Sequence, residues 1–141
     1  MHSISKEDYL KAIYHLTNGK ETLANTSKIA AYLNIKASSC TDMVKKLASD
    51  KLISYEPYRG VRLSPSGRKA AIYMIRKHRL WETFLVNTLG FNWDEVHNVA
   101  EQLEHTESPE LITRLDAFLG HPTLDPHGDP IPDANGIVQN L

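Results

Sequence analysis

Cysteine is almost absent from this chain: Cys40 is the only one in 141 residues. A lone thiol excludes an internal disulfide and a cysteine-based zinc knuckle, and it fits a reducing compartment. Any bound metal must therefore use oxygen and nitrogen donors. Long apolar runs are missing as well. No stretch approaches the roughly 18 to 20 residues of a membrane span, and the opening MHSISKE lacks the apolar core of a signal peptide. The expected setting is the cytoplasm, with no membrane partner. Internal repeats and low-complexity tracts are absent too, which sets aside repeat architectures.

What remains is a globular composition. Hydrophobic residues make up 41% of the chain, enough to bury a core in one domain or two small ones. The net charge of −1 conceals an uneven distribution. Residues 1–72 carry 12 Lys and Arg against 6 Asp and Glu, whereas residues 73–141 carry 4 against 11. A basic half suits a polyanion, and an acidic half suits cations or protein partners. Five of the seven histidines (His78, His97, His105, His121 and His127) lie in the acidic half. Nitrogen ligands for a metal would collect there.

The basic half predicts helices in close succession. Ser5 caps a helix to about Asn18, with Tyr9, Leu10, Ile13, Tyr14 and Leu16 at helical spacing and Asn18-Gly19 as its stop. Asp8 sits in the first turn, where the helix dipole favours an acid, one step from the apolar stripe. Thr26 or Ser27 caps a short helix to Leu33, Asn34-Ile35-Lys36 makes a tight turn, and a further helix runs from Ala37 to Ser49. This is helix-turn-helix spacing. In the last of these helices Cys40, Met43, Val44 and Leu47 face inward, leaving Ser38, Ser39, Thr41, Asp42, Lys45, Lys46 and Ser49 outward. Small hydroxyls at the front of a recognition helix suit base edges, and lysines along it suit phosphates. Residues 52–55 and 61–63 read as strands around Glu56-Pro57-Tyr58-Arg59-Gly60, a hairpin with a basic, aromatic tip. A hairpin directly after a helix-turn-helix is the winged-helix arrangement. Candidate DNA contacts are therefore Lys36, Ser38, Ser39, Thr41, Asp42, Lys45, Lys46, Tyr58 and Arg59, with Arg62 extending the positive surface.

Ser64-Pro65 opens a long helix that runs to about Leu89 and stops at Gly90. Ile72, Ile75, Leu80, Phe84 and Leu85 are its packing residues. It also places His78 and Glu82 one turn apart, where they can chelate an ion or form an exposed hydrogen-bonded pair. Two more helices are expected, at about Trp93 to Thr106 and Ser108 to Leu119, with apolar surface suited to a dimer interface. In the first of them His97, Glu101, Glu104 and His105 stand at i, i+4, i+7 and i+8, within an arc of about 100°. Such clustering makes four ligands on one face, or else a solvated face. The Pro-rich tail from Gly120 to Pro132 is a string of turn signals, with His121 and His127 expected to be solvated or hydrogen-bonded. The fold class is thus mainly α: an N-terminal winged helix-turn-helix, three helices plus a two-stranded β wing, in residues 1–72, and an α-helical domain in residues 73–141.

Several stretches together resemble the diphtheria-toxin-repressor and manganese-transport-regulator family of metal-dependent transcriptional repressors. They are Glu7-Asp8-Tyr9-Leu10 with Ile13-Tyr14, Tyr58-Arg59-Gly60 with Leu63-Ser64-Pro65-Ser66-Gly67, Lys77-His78-Arg79-Leu80-Trp81-Glu82, Glu101-Gln102-Leu103-Glu104-His105, and the tail from Asp125 to Pro132. The resemblance covers essentially the whole chain. It implies a homodimer whose winged helices bind palindromic operator DNA and whose second domain binds metal and dimerises. It also implies two metal positions, one matching Asp8, Glu101, Glu104 and His105 and an ancillary one matching His78, Glu82 and His97. Asp8 then becomes a ligand rather than a first-turn acid. Two departures stand out: Lys11 replaces a carboxylate of the short manganese regulators, and the 141 residues stop before the SH3-like third domain of longer iron-responsive members.

On this reading metal is a corepressor. A divalent cation replaces the mutual repulsion of Asp8, Glu101 and Glu104 with bonds that fix the spacing of the wings. Hard carboxylates with one imidazole favour Mn²⁺ over Fe²⁺ as the physiological ion, with Zn²⁺ or Co²⁺ able to occupy the site in vitro. No small-molecule substrate is expected. A metal-independent winged-helix regulator sensing a small molecule would account for residues up to about Leu63 but not for Glu101, Glu104 and His105. A metallohydrolase fares worse, because Glu101 stands where His-x-x-Glu-His needs its first histidine and no general base is evident.

Overall fold

The computed structural model describes residues 5–20 and 22–137, which form six helices and one two-stranded antiparallel sheet. Their contacts divide the chain into two units, Met1–Ile72 and Tyr73–Leu141. In the first unit Ser5 closes a capping box at the start of α1 (Lys6–Thr17). Its hydroxyl accepts from the Asp8 N–H, and the Asp8 carboxylate accepts from the Ser5 N–H at 2.9 Å. Two otherwise orphaned donors are thereby paired. Asn18 ends the helix in the left-handed region at φ 52°, which asparagine tolerates better than most residues.

The cap of α2 (Thr26–Leu33) is Asn25, whose side chain accepts from the Ser27 N–H at 2.7 Å, and not Thr26 or Ser27. Three cap-forming residues stand in a row there, and the first of them takes the role. Asn34 turns the chain at φ 55° toward α3 (Ala37–Ser49). Cys40, Val44 and Leu47 of α3 are fully buried and Met43 lies at the margin, as the 3.6-residue period requires. The strands β1 (Ile53–Glu56) and β2 (Gly60–Leu63) then pair from Ile53↔Leu63 to Glu56↔Gly60. Val61 exchanges both backbone hydrogen bonds with Ala24, which anchors the wing to the segment ahead of α2. Gly60 is needed at that crossing, since a Cβ there would lie 2.6 Å from the Ala24 carbonyl oxygen. A single core around Leu10, Ile13, Ile29, Val44, Leu47 and Val61 unites this winged helix-turn-helix.

Ser64 caps α4 (Pro65–Asn87), its hydroxyl accepting from the Gly67 N–H at 3.1 Å, and Pro65 sits where no helical N–H is required. In the second unit α4 packs with α5 (Val96–Leu103) and α6 (Pro109–Phe118) around Leu80, Trp81, Leu85, Val96, Ala100, Ile112 and Leu115. α5 is shorter than its apolar period suggests. Asn92 holds residues 92–95 in a turn, its carbonyl accepting from the Glu95 N–H at 3.0 Å. At the other end Thr106 donates its N–H and its hydroxyl to the Leu103 carbonyl, at 3.1 and 2.7 Å. That capture ends the helix, so Glu104 is its C-cap and His105 lies beyond it. The tail is an ordered, packed loop: the Asp125 carboxylate accepts from the His127 and Asp129 N–H groups, and Ile131 and Pro132 are buried. Among the described residues no helix is long and apolar enough to cross a membrane.

Candidate metal centre and nucleic-acid interface

His78 and Glu82 stand one turn apart on α4, 8% and 3% exposed. His78 Nε2 lies 3.4 Å from Glu82 Oε1, and its Nδ1 lies 3.4 Å from Glu104 Oε1. Glu104 is wholly buried, because the end of α5 turns it inward. The His97 ring packs edge-on against His78 with centroids 4.8 Å apart, while its Nε2 lies 3.2 Å from Glu101 Oε1. His78, Glu82 and His97 thus offer ligand atoms within 4.8 Å of one another, and Glu104 and His105 do the same as a pair. Glu101 rests on His97 and, among the described residues, joins no group of three or more. The single helical face expected for His97, Glu101, Glu104 and His105 is therefore divided. Asp8, in the other unit, is held by its capping box.

A further group includes His127, whose place in a Pro-rich tail does not mark it as a ligand. Glu82, Asp125 and His127 also bring ligand atoms within 4.8 Å. His127 Nδ1 lies 3.5 Å from Glu82 Oε2, and its Nε2 donates to the Trp93 carbonyl at 2.7 Å. A carbonyl holding one nitrogen leaves the other presented as a ligand, the usual arrangement around metals. The expectation of a hydrogen-bonded His127 holds. Turn signals cannot show that the tail folds back onto Glu82, and only the Asp125-Pro126-His127 stretch hinted at it.

Burial disfavours charge on His78, but the Glu104 and Glu82 carboxylates outweigh it and raise the imidazole pKa above its ordinary value. Burial likewise pushes Glu82 up, yet His78 and His127 reverse this and hold it below the usual carboxylate range. Asp125 is pushed up, chiefly by burial, against the opposing N–H groups of Asp129 and His127. The donor separations of 3.2 to 3.5 Å are long for hydrogen bonds, and His78 Nδ1 has no well-formed one. Two ligands each about 2.1 Å from a shared divalent ion stand about 3.0 to 3.4 Å apart at octahedral or tetrahedral angles. The donor set fits such an ion.

In the first unit Lys36, Ser38, Ser39, Asp42, Lys45 and Lys46 are exposed along α3 and its entry. Thr41 is half-buried, and its hydroxyl donates back to the Ala37 carbonyl at 3.1 Å, which leaves it an acceptor only. Tyr58 is fully exposed at the wing tip with φ 67°. The Arg59 side chain, 73% exposed, lies 3.7 Å from Glu56, and Arg62 pairs with the same carboxylate at 3.2 Å. Glu56 therefore offsets part of the wing's positive charge, which the spacing of the basic residues did not reveal.

Comparison with known proteins accounts for both units. Residues 1–61 match the family described as iron dependent repressor, N-terminal DNA binding domain, and residues 64–133 match iron dependent repressor, metal binding and dimerisation domain. The chain is 36% identical over 133 residues to the iron-dependent repressor IdeR of Mycobacterium tuberculosis, covering 94% of this chain and 56% of that one. It thus spans little more than half the length of that relative. Against the HTH-type transcriptional regulator MntR of Geobacillus kaustophilus it is 39% identical over 111 residues, covering 79% of this chain and 77% of the relative. A solved manganese-dependent transcriptional repressor in complex with manganese matches with a TM-score of 0.89 at 45% identity, covering 97% of this chain and 63% of the other. With both halves matched in order, the chain belongs to the iron-dependent repressor family of transcriptional regulators.

Proposed function

We propose that this protein is a cytoplasmic, divalent-metal-dependent repressor of metal-uptake genes, binding palindromic operator DNA as a homodimer when loaded with metal. The observation that carries this reading is the buried set of His78, Glu82 and Glu104, joined by His97, in a chain whose other unit is a winged helix. Burying that many ionisable groups beside an apolar core is costly unless they pair with one another or hold a cation. His78, Glu82 and His97 are assigned to the ancillary position. Glu101, Glu104 and His105 are assigned to the primary one, with Asp8 joined to them as the resemblance implies. Glu82, Asp125 and His127 form a further set that can take an ion or share Glu82. A bound cation supplies positive charge and directed bonds where the carboxylates otherwise repel one another.

Oxygen donors outnumber nitrogen in the primary set and no thiolate is present, which favours Mn²⁺ over Fe²⁺; Zn²⁺ and Co²⁺ serve as probes. On the DNA side Lys45, Lys46 and Arg59 are assigned to phosphates, and Ser38, Ser39 and Asp42 to base edges. The test is anaerobic operator binding in chelator, in buffered Mn²⁺ and in buffered Fe²⁺. Equal affinity in all three overturns the proposal. A response to iron alone replaces manganese as the ion and leaves metal dependence in place.

A further inference from the structure

Lys77 is a buried cation on α4, next to the candidate ligand His78. It is 5% exposed. The Lys77 ammonium donates to the Thr106 carbonyl at 3.3 Å and lies 4.6 Å from the centre of the Tyr73 ring. Taking an ammonium out of water is costly. Through the Thr106 carbonyl, Lys77 holds the segment just past α5. Residues 103–106 form a tight turn closed by Thr106 on the Leu103 carbonyl, and this turn carries Glu104 and His105 beyond the last helical residue. His78, the next residue of α4, reaches Glu104 at 3.4 Å. Two adjacent residues of α4 thus grip the turn, one through a ligand side chain and one through the backbone at its far end.

We infer that Lys77 is a positioning residue for the metal centre: by tethering the Thr106 carbonyl it sets the turn that presents Glu104 and His105 to a divalent cation. The inference rests on the metal-dependent reading above. Its test is Co²⁺ titration of the metal-free protein, followed by visible absorption, for wild type, Lys77→Met, Lys77→Arg and Thr106→Val. Lys77→Met keeps the length of the side chain but loses the donor. It should bind Co²⁺ roughly tenfold or more weakly, the usual scale for losing an outer partner of a ligand, with an altered band shape. Lys77→Arg, which keeps a cationic donor, should bind more tightly than Lys77→Met. Thr106→Val loosens the same turn from its other bond, and should shift the spectrum even if Lys77→Met fails to fold. The double variant should lose less than the two single losses combined, because both act through one turn. A Lys77→Met protein that melts like wild type without metal and takes Co²⁺ with unchanged affinity and spectrum overturns the inference alone. Wild type that takes up no Co²⁺ overturns the metal reading together with it.

Discussion

A histidine buried among apolar neighbours loses its proton easily, but His78 is buried between two carboxylates that favour its protonated form. Its pKa in the folded protein lies above the ordinary 6.5, burial being outweighed by Glu104 and Glu82. A folded value above the unfolded one means that His78 adds stability which is complete below about 6.5 and is lost as pH rises through the folded value. In chelator, the stability advantage of wild type over His78→Gln should therefore shrink as pH rises above about 6.5, as read by urea unfolding at successive pH values. Metal competes with the same proton, so Co²⁺ affinity should rise over the same interval. A stability gap that stays constant with pH would mean that His78 is neutral in the metal-free fold. Neighbouring side chains give a second expectation. Replacing Glu101 or His105 with Ala should leave a folded protein that no longer binds operator in added metal, since what is lost is an ion's bonds and not packing. Metal-dependent binding that survives in both variants of a mobility-shift titration would remove them from the primary position.

At the scale of elements, α1, α2 and α3 are legible because local rules act alone there. Ser5 with Asp8 forms a capping box, asparagines stop α1 and α2, and Cys40, Val44 and Leu47 repeat at helical spacing. The ends of α5 are not legible. An apolar period shows which face is buried but not where a side chain such as Thr106 captures a carbonyl and ends the helix. That difference places Glu104 and His105 past the helix and splits the expected ligand face. The contact of His127 with Glu82 is hidden for a related reason, being set by how the tail packs and not by any neighbour in sequence. The recognition helix and the wing carry the prediction that belongs here. Lys45, Lys46 and Arg59 are exposed cations without a buried role. Ala at each should weaken specific and nonspecific DNA alike and reduce the slope of log affinity against log salt by about one unit apiece. Arg59 should fall somewhat short of that, because Glu56 already competes for it at 3.7 Å. A variant that changed base preference at an unaltered slope would be touching a base, not a phosphate.

For the whole molecule, the charge division is the feature that composition states most plainly and on which the proposed function draws most directly. The half with 12 basic against 6 acidic residues contains the match to a DNA-binding domain, and the half with 4 against 11 contains most of the match to a metal-binding and dimerisation domain. On the proposed function, binding a cation in one and a polyanion in the other would make a single thermodynamic system, since any favour that metal does for operator binding must be returned by operator to metal. If saturating Mn²⁺ tightens operator binding by some factor, bound operator must tighten Mn²⁺ by that same factor, with coupling of a few kcal/mol corresponding to roughly 5- to 150-fold. Both halves of this cycle can be measured: operator titrations in chelator and in saturating Mn²⁺, and Mn²⁺ titrations with and without operator duplex. Equal factors are expected for wild type, and both should collapse toward one in Glu104→Gln. That substitution keeps the shape of a fully buried side chain while removing its charge. Tighter DNA binding in metal with no reciprocal gain in metal affinity would mean that Mn²⁺ acts outside the cycle, for instance on the DNA itself, and the corepressor mechanism would fall.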